Sequence, residues 1–181
     1  VPSVNITNWP GNGNISKGEA QKLAPFFDKN KNKIYEPLQG DYPIINGDAC
    51  AFTIFNDKRA DTTSLGIEVH QFVYAFANTG TTLDNSVFVA YKIYNRSSND
   101  YTQMYVGHWV DYDIGNWNDD AYCSDSTRNL MIAMNGTNDD GLTGYGTRPP
   151  AMGCLFLNQI LATNITYNND FGAHGNPTSI N

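Results

Sequence analysis

From residue 50 onward the apolar positions recur every second residue, the period of a strand whose side chains point alternately to two faces. Residues 65–76 hold the longest run. Ile67, Val69, Val73 and Ala75 share one parity, and Glu68, His70, Phe72, Tyr74 and Phe76 share the other. Residues 87–94 alternate likewise, with Val87, Val89, Tyr91 and Ile93 against Phe88, Ala90, Lys92 and Tyr94. Both faces of these runs are partly apolar, which predicts central strands of a packed sandwich. Shorter runs at 51–55, 103–113, 130–135, 151–157 and 160–167 bring the predicted strands to about seven. Gly, Asn, Asp and Pro fill the connections. The expected fold is all-β: an antiparallel β-sandwich, jelly-roll or Ig-like, with long Asp/Asn-rich loops.

Before residue 50 the pattern is different. Residues 5–16 are rich in Asn, Gly and Pro and have no period, which predicts an irregular N-terminal arm over 1–27. Ser16 with Glu19 three residues on is a capping-box pattern, so a short helix is expected within 16–27, limited by Pro25. The sandwich body is expected over 28–167, and 168–181 reads as a polar tail or linker. The length, 181 residues, suits one domain, and no repeat or internal boundary stands out.

Composition sharpens this picture. There are 15 Asp but only 3 Glu, and 23 Asn. Asp and Asn are short oxygen donors that favour turns over helix interiors. The net charge is −7, and Lys29, Lys31 and Lys33 are the only basic cluster. Nucleic-acid binding is therefore not expected. No apolar run approaches a membrane span, so no membrane insertion is expected either. The chain begins at Val1 rather than Met, which predicts a processed product or excised domain. Cys50, Cys123 and Cys154 lie at no zinc-ligand spacing; one disulfide and one buried thiol are expected, with the pairing open.

The sharpest local motif runs from Asp28 to Pro37. Asp28, Asn30 and Asn32 place side-chain oxygens at positions 1, 3 and 5 of a calcium loop, and the Ile34 carbonyl falls at position 7. Lys33 stands at position 6, where Gly usually makes the turn, and Gln39 stands at position 12 in place of the bidentate Glu. Closure of the loop would fall to Glu36, Asp41 or Asp48. The competing reading is an Asx-turn loop without metal. A second motif gathers Asp111, Asp113, Asp119, Asp120 and Asp125 within 15 residues, with no Lys or Arg before Arg128. Such crowding of like charge favours a hard divalent cation, or else a solvated acidic loop. Asn135, Asn138, Asp139 and Asp140 form a weaker cluster that reads first as a turn.

Catalytic signals are poor. Asp119 and Asp120 are adjacent and need not face each other as a glycosidase pair. His70 and His108 sit in predicted strands, where half-buried structural histidines are ordinary. No GxSxG, HExxH or phosphate-loop pattern occurs. Trp9, Trp109 and Trp117 are possible sugar platforms; Trp109 reads as core, and Trp117, in a Gly/Asn/Asp loop, suits stacking better.

Segments in order carry a resemblance: residues 28–37, 40–48, 55–57, 65–69, 91–97, 105–115, 118–125 and 145–151. They include Gly40-Asp-Tyr-Pro, Tyr91-Lys-Ile-Tyr-Asn-Arg, Trp109-Val-Asp-Tyr-Asp-Ile-Gly and Tyr145-Gly-Thr-Arg-Pro-Pro. Together they resemble a domain of large secreted surface proteins of Bacteroidota, many of which end in a type IX secretion sorting domain. The resemblance spans roughly residues 28–160. It implies export, a multidomain parent and adhesive or structural use at the cell surface, and no established reaction. It also implies O-glycosylation at Asp-Ser/Thr sites, here Thr62 or Ser126. The sequons at Asn5, Asn14, Asn95, Asn135 and Asn164 are the alternative acceptors.

The sequence therefore predicts a non-catalytic extracellular structural or adhesive module of a secreted surface or filament-forming protein, with Ca2+ held structurally by its acidic loops. Its expected partners are neighbouring domains or copies of itself, reached by terminal segments that add to open sheet edges, and surface glycans. A carbohydrate-binding module is the alternative and a hydrolase domain the third reading.

Overall fold

The computed structural model describes residues 2–58 and 63–158. The predicted strand at 160–167, the tail at 168–181, Thr62 and Asn164 lie outside them. The chain divides into two compact units, Val1–Thr102 and Gln103–Asn181, a division the sequence pattern did not mark. Strands dominate, arranged in three antiparallel sheets.

In the first unit, a short helix α1 (Val4–Thr7) precedes a 3-10 turn at Ile15–Lys17. The expected helix within 16–27 does not form. The cap sits two residues earlier than expected: Asn14 accepts from the Ser16 amide, while Glu19 reaches back to the Asn14 amide at 2.6 Å. An Asn12–Lys22 bridge then directs the chain into extended structure. Strands β1 (Phe26–Phe27) and β2 (Tyr42–Pro43) form a two-residue ladder, and Phe27 stacks on Tyr42 with ring centroids 4.8 Å apart. Residues 28–41 are the loop of this small hairpin.

Strands β3 (Ala49–Asn56), β4 (Ile67–Ala75) and β5 (Val87–Asn95) form a meander with β4 central. The register pairs Phe52 with Phe72 and Tyr74 with Phe88, so the even-numbered aromatics share one face. Tyr74 and Phe88 stack at 5.1 Å. Trp9 packs on Phe52 and Phe72 at 6.0 and 6.4 Å, and its indole N–H donates to the Pro25 carbonyl. The opposite face is apolar yet exposed at Phe55, Val87, Val89, Tyr91 and Ile93. Gly47 is required at the entry to β3. Its backbone lies against the Ala75 carbonyl, and any side chain would collide with that oxygen.

In the second unit, β6 (Asp120–Asp125), β7 (Leu130–Asn135) and β8 (Ala151–Leu155) form another meander with β7 central. The predicted strand at 103–113 joins no ladder. Its alternation has a different cause. Val110, Tyr112 and Ile114 pack inward with Ala133 and Cys154, while Asp111 and Asp113 point to solvent. Side chains of β6 hold its backbone instead of a neighbouring strand: Ile114 N donates to Asp120 Oδ2 at 3.0 Å, and Tyr122 OH donates to the Tyr112 carbonyl at 3.0 Å.

The expected disulfide is corrected: all three thiols are free. Cys123 on β6 and Cys154 on β8 are separated by β7, or roughly 10 Å at the usual strand spacing. A disulfide needs Cα atoms within about 7 Å. Cys50 lies on β3 in the other unit.

Candidate functional site

Asp28, Asn30 and Asn32 are brought together as their spacing implies. Asp28 accepts from the amides of Asn32 and Lys33 at 3.2 and 2.7 Å. Asn30 Oδ1 accepts from Asn32 N at 3.1 Å, and Asn32 Oδ1 accepts from Ile34 N at 2.8 Å. Successive Asx turns thus wind the backbone so that residues 1, 3 and 5 of the loop face its interior. Lys31 and Lys33 take left-handed conformations, φ 61° and 67°. The sharp turn at position 6 is therefore made despite the lysine side chain.

Glu36 is the hub of the loop. Its Oε2 accepts from the side-chain amides of Asn30 and Asn32 at 3.2 and 2.5 Å. Asp41 closes the loop from outside: Oδ1 accepts from Lys29 N at 2.9 Å and Oδ2 from Glu36 N at 2.8 Å. The Asp41 residue is only 3% exposed. The far side is pinned by Asn12, which exchanges two hydrogen bonds with the Tyr35 backbone at 2.7 and 2.9 Å. Tyr35 is itself buried against Phe26. Asp48 serves elsewhere, accepting from Ala77 N beside β4.

The donor set suits a hard cation. A carbonyl or carboxylate oxygen that accepts one amide proton keeps a second lone pair. Asp28, Asn30, Asn32 and Glu36 therefore retain oxygen capacity inside the loop, and the Ile34 carbonyl lies at its position 7. Calcium accepts such mixed carboxylate, amide and backbone ligands.

The second acidic group is split. Asp125 ends β6, five residues from Asp120, roughly 17 Å along the strand. There it accepts from Thr127 N and Oγ1, and it pairs with Arg128. The Thr127 hydroxyl bond, then the Arg128 bond, pull its carboxyl down to about 2. Asp125 is thus committed to its turn. Burial first, and then the charges of Asp120, Asp111 and Asp113, push the Tyr122 phenol up from its usual value. Asp119 and Asp120 are half-buried at the start of β6. Among the described residues, no three His, Cys, Asp or Glu side chains gather into a group that could hold a metal ion.

Asp140, expected in a simple turn, is a staple between two segments. It is 1% exposed and binds Asn116 N at 2.8 Å and Tyr145 N at 2.5 Å. Gly115 and Gly144 flank its carboxylate, and a side chain at either position would occupy the same space.

His70 is buried on β4 and contacts Glu68 at 2.9 Å, which also pairs with Arg96 at 2.7 Å. The Arg96 bond holds the Glu68 carboxyl below its usual range, burial opposes this, and His70 adds to the lowering. The His70 ring packs on Tyr94 and Phe52. Trp109, expected in the core, is 73% exposed, and Trp117 is 62% exposed. An open groove in the first unit is lined by Ile6, Trp9, Ile45 and Phe52, and Asp48 is its one carboxylate. Among the described residues, no helix is long and apolar enough to cross a membrane.

No family model, curated protein or solved structure matches this chain.

Proposed function

We propose that this chain is a non-catalytic structural or adhesive module of a secreted surface protein, with calcium held in the 28–41 loop. The carrying observation is the winding of that loop. The Asx oxygens of Asp28, Asn30 and Asn32 cap the amides of residues 32–34, two lysines are left-handed, the buried Asp41 closes the loop, and the Asn30 and Asn32 amides donate to Glu36. Holding lysines in left-handed conformation costs roughly 1–2 kcal/mol each. A bound cation offsets that cost and the mutual repulsion of Asp28 and Glu36.

The role is mechanical. The loop joins β1 to β2 and is anchored to the N-terminal arm through Tyr35, so an ion there stiffens the first unit. Tyr35 OH also donates to the Ile6 carbonyl, extending the same support toward α1. A sandwich, jelly-roll or Ig-like, is the architecture we keep for the module; the open apolar face of β5 is the kind of surface a second sheet covers. Outer strands β3 and β5 offer edges to neighbouring domains or copies of the chain. The secreted setting, the Bacteroidota parentage and type IX export rest on the sequence resemblance. The test is a melt with calcium and with chelator: calcium should raise the melting temperature and chelator remove the gain. An identical melt in both excludes the reading.

A carbohydrate-binding module is the second reading, favoured by the exposed Trp109 and by the exposed Trp117 between Asn116 and Asn118 in the chain. Trp9 supports it less, because its ring packs on Phe52 and Phe72. Binding on a glycan array, abolished by Trp117→Ala, would select this reading over the first.

A further inference from the structure

The second unit carries most of the charge imbalance. Residues 103–181 contain eight Asp and two Arg, a net −6 of the chain's −7. Arg128 is paired with Asp125 at the far end of β6. At the near end, three buried side-chain oxygens have no hydrogen-bond partner: Asp119 Oδ1, Asp120 Oδ1 and Asn135 Oδ1. Tyr112 OH is also without an oxygen or nitrogen partner, but it lies beside the Cys154 thiol, a weak one.

The three residues meet at one end of the hairpin. Asp120 and Asn135 are directly opposed across β6 and β7, so their side chains leave the same face of the sheet. Asp119 precedes Asp120, and its carbonyl accepts from Gly136 N at 2.6 Å, which holds it against the end of β7. Thr137 Oγ1 lies 3.5 Å from Asp119 Oδ2 and 3.2 Å from Asn135 Nδ2, so one hydroxyl touches both residues.

Asn135 is the decisive residue. It is 9% exposed, and its amide nitrogen donates to the Thr137 carbonyl at 2.9 Å. Turning the amide over would set oxygen against that carbonyl oxygen. Asn135 Oδ1 is thereby fixed in its orientation, buried, with nothing donating to it. A buried acceptor without a donor destabilises a fold, and a charged one more so. Two carboxylates and an amide oxygen need a positive partner there, and a water, with two protons, cannot serve three acceptors.

We propose that Asp119, Asp120 and Asn135 hold a calcium ion at the start of the β6–β7 hairpin. The mix of carboxylate and amide oxygens on an irregular strand end suits calcium's flexible coordination better than magnesium's strict octahedron. The ion clamps the open end of the hairpin, as the Arg128–Asp125 pair clamps its turn end. This site shares no residue with the 28–41 loop and does not depend on calcium binding there.

The experiment is calorimetric titration of the chelator-stripped 181-residue chain with calcium chloride. The parent should bind two equivalents. Asp28→Ala/Glu36→Ala should keep one, and Asp119→Asn/Asp120→Asn should lose one. If Asp119→Asn/Asp120→Asn binds as many ions as the parent, or if the parent binds none, the second site is overturned. If the parent binds one ion, retained by Asp28→Ala/Glu36→Ala and lost in Asp119→Asn/Asp120→Asn, this site stands and the loop reading fails. Circular dichroism checks folding. Should the double variant not fold, Asp119→Asn alone gives the same readout, since that carboxylate makes only the long Thr137 side-chain contact.

Discussion

Asp41 binds the Glu36 main-chain amide through Oδ2 while its other oxygen binds Lys29 N, twelve positions back across the mouth of the loop. The two bonds make Asp41 the lock of the 28–41 loop. Asp41→Ala leaves two amides without acceptors, and hydrogen bonds to charged groups contribute about 1.5–3 kcal/mol each. Urea denaturation should show a loss of roughly 2–4 kcal/mol, allowing for access of water to the loop. Asp41→Asn, which keeps one acceptor, should lose less. Equal stability of all three proteins would show the lock to be unimportant.

Lys33 occupies left-handed backbone at φ 67°. Lys33→Gly removes the steric cost at that position, so the protein should gain about 1 kcal/mol in the same assay. Lys33→Val should instead destabilise, because a β-branched side chain fits this region worst. A Gly variant less stable than the parent would contradict the conformation assigned here.

The strands that announced themselves did so by alternation. Residues 67–75 and 87–95 have β-branched or aromatic residues on both parities, residues 130–135 are apolar on both, and all three form ladders. β6 was hidden because Asp stands at both of its ends and only Ala121, Tyr122 and Cys123 suggest a strand. Residues 110–114 misled for the opposite reason. They alternate because one side packs on Ala133, while side chains take the hydrogen bonds a ladder would use. In the candidate sites, Asp28, Asn30 and Asn32 were legible because Asx turns are local. Asn135 was legible only as part of a turn cluster, because its place opposite Asp120 comes from the register, which no local pattern encodes. The excess of Asp over Glu also gains a physical reason. Asp28, Asp41, Asp57, Asp84 and Asp140 each bind two backbone amides, a reach suited to the shorter side chain.

The Glu68 cluster predicts an acid-sensitive contribution. Its carboxyl is lowered from 4.5, chiefly by the Arg96 bond. A carboxyl depressed in the fold contributes stability above its unfolded pKa and loses it as pH falls through the folded value. Stability measured from pH 6 downward should therefore fall once the pH passes below about 4.5, and Glu68→Gln should flatten that fall. The same slope in parent and variant would remove Glu68 from the account.

The thiols should react unequally. Cys123 is exposed, whereas burial raises the pKa of Cys50 and Cys154. Since the thiolate is the reactive form, a maleimide at pH 7.5 should label one site fast and two slowly. Cys123→Ser should abolish the fast phase. Fewer than three reactive thiols in the denatured, unreduced protein would indicate a disulfide and contradict the structure.

The most direct measurement on the central claim is a calcium titration of the 15N-labelled chain followed by amide resonances. Bound calcium would polarise the oxygens that accept from Asn32, Lys33 and Ile34, so these three amides should shift and saturate. Amides in the middle of β4 should stay in place. If saturating calcium leaves residues 28–36 unmoved, the loop is an Asx-turn loop without metal and the proposed role of calcium is wrong.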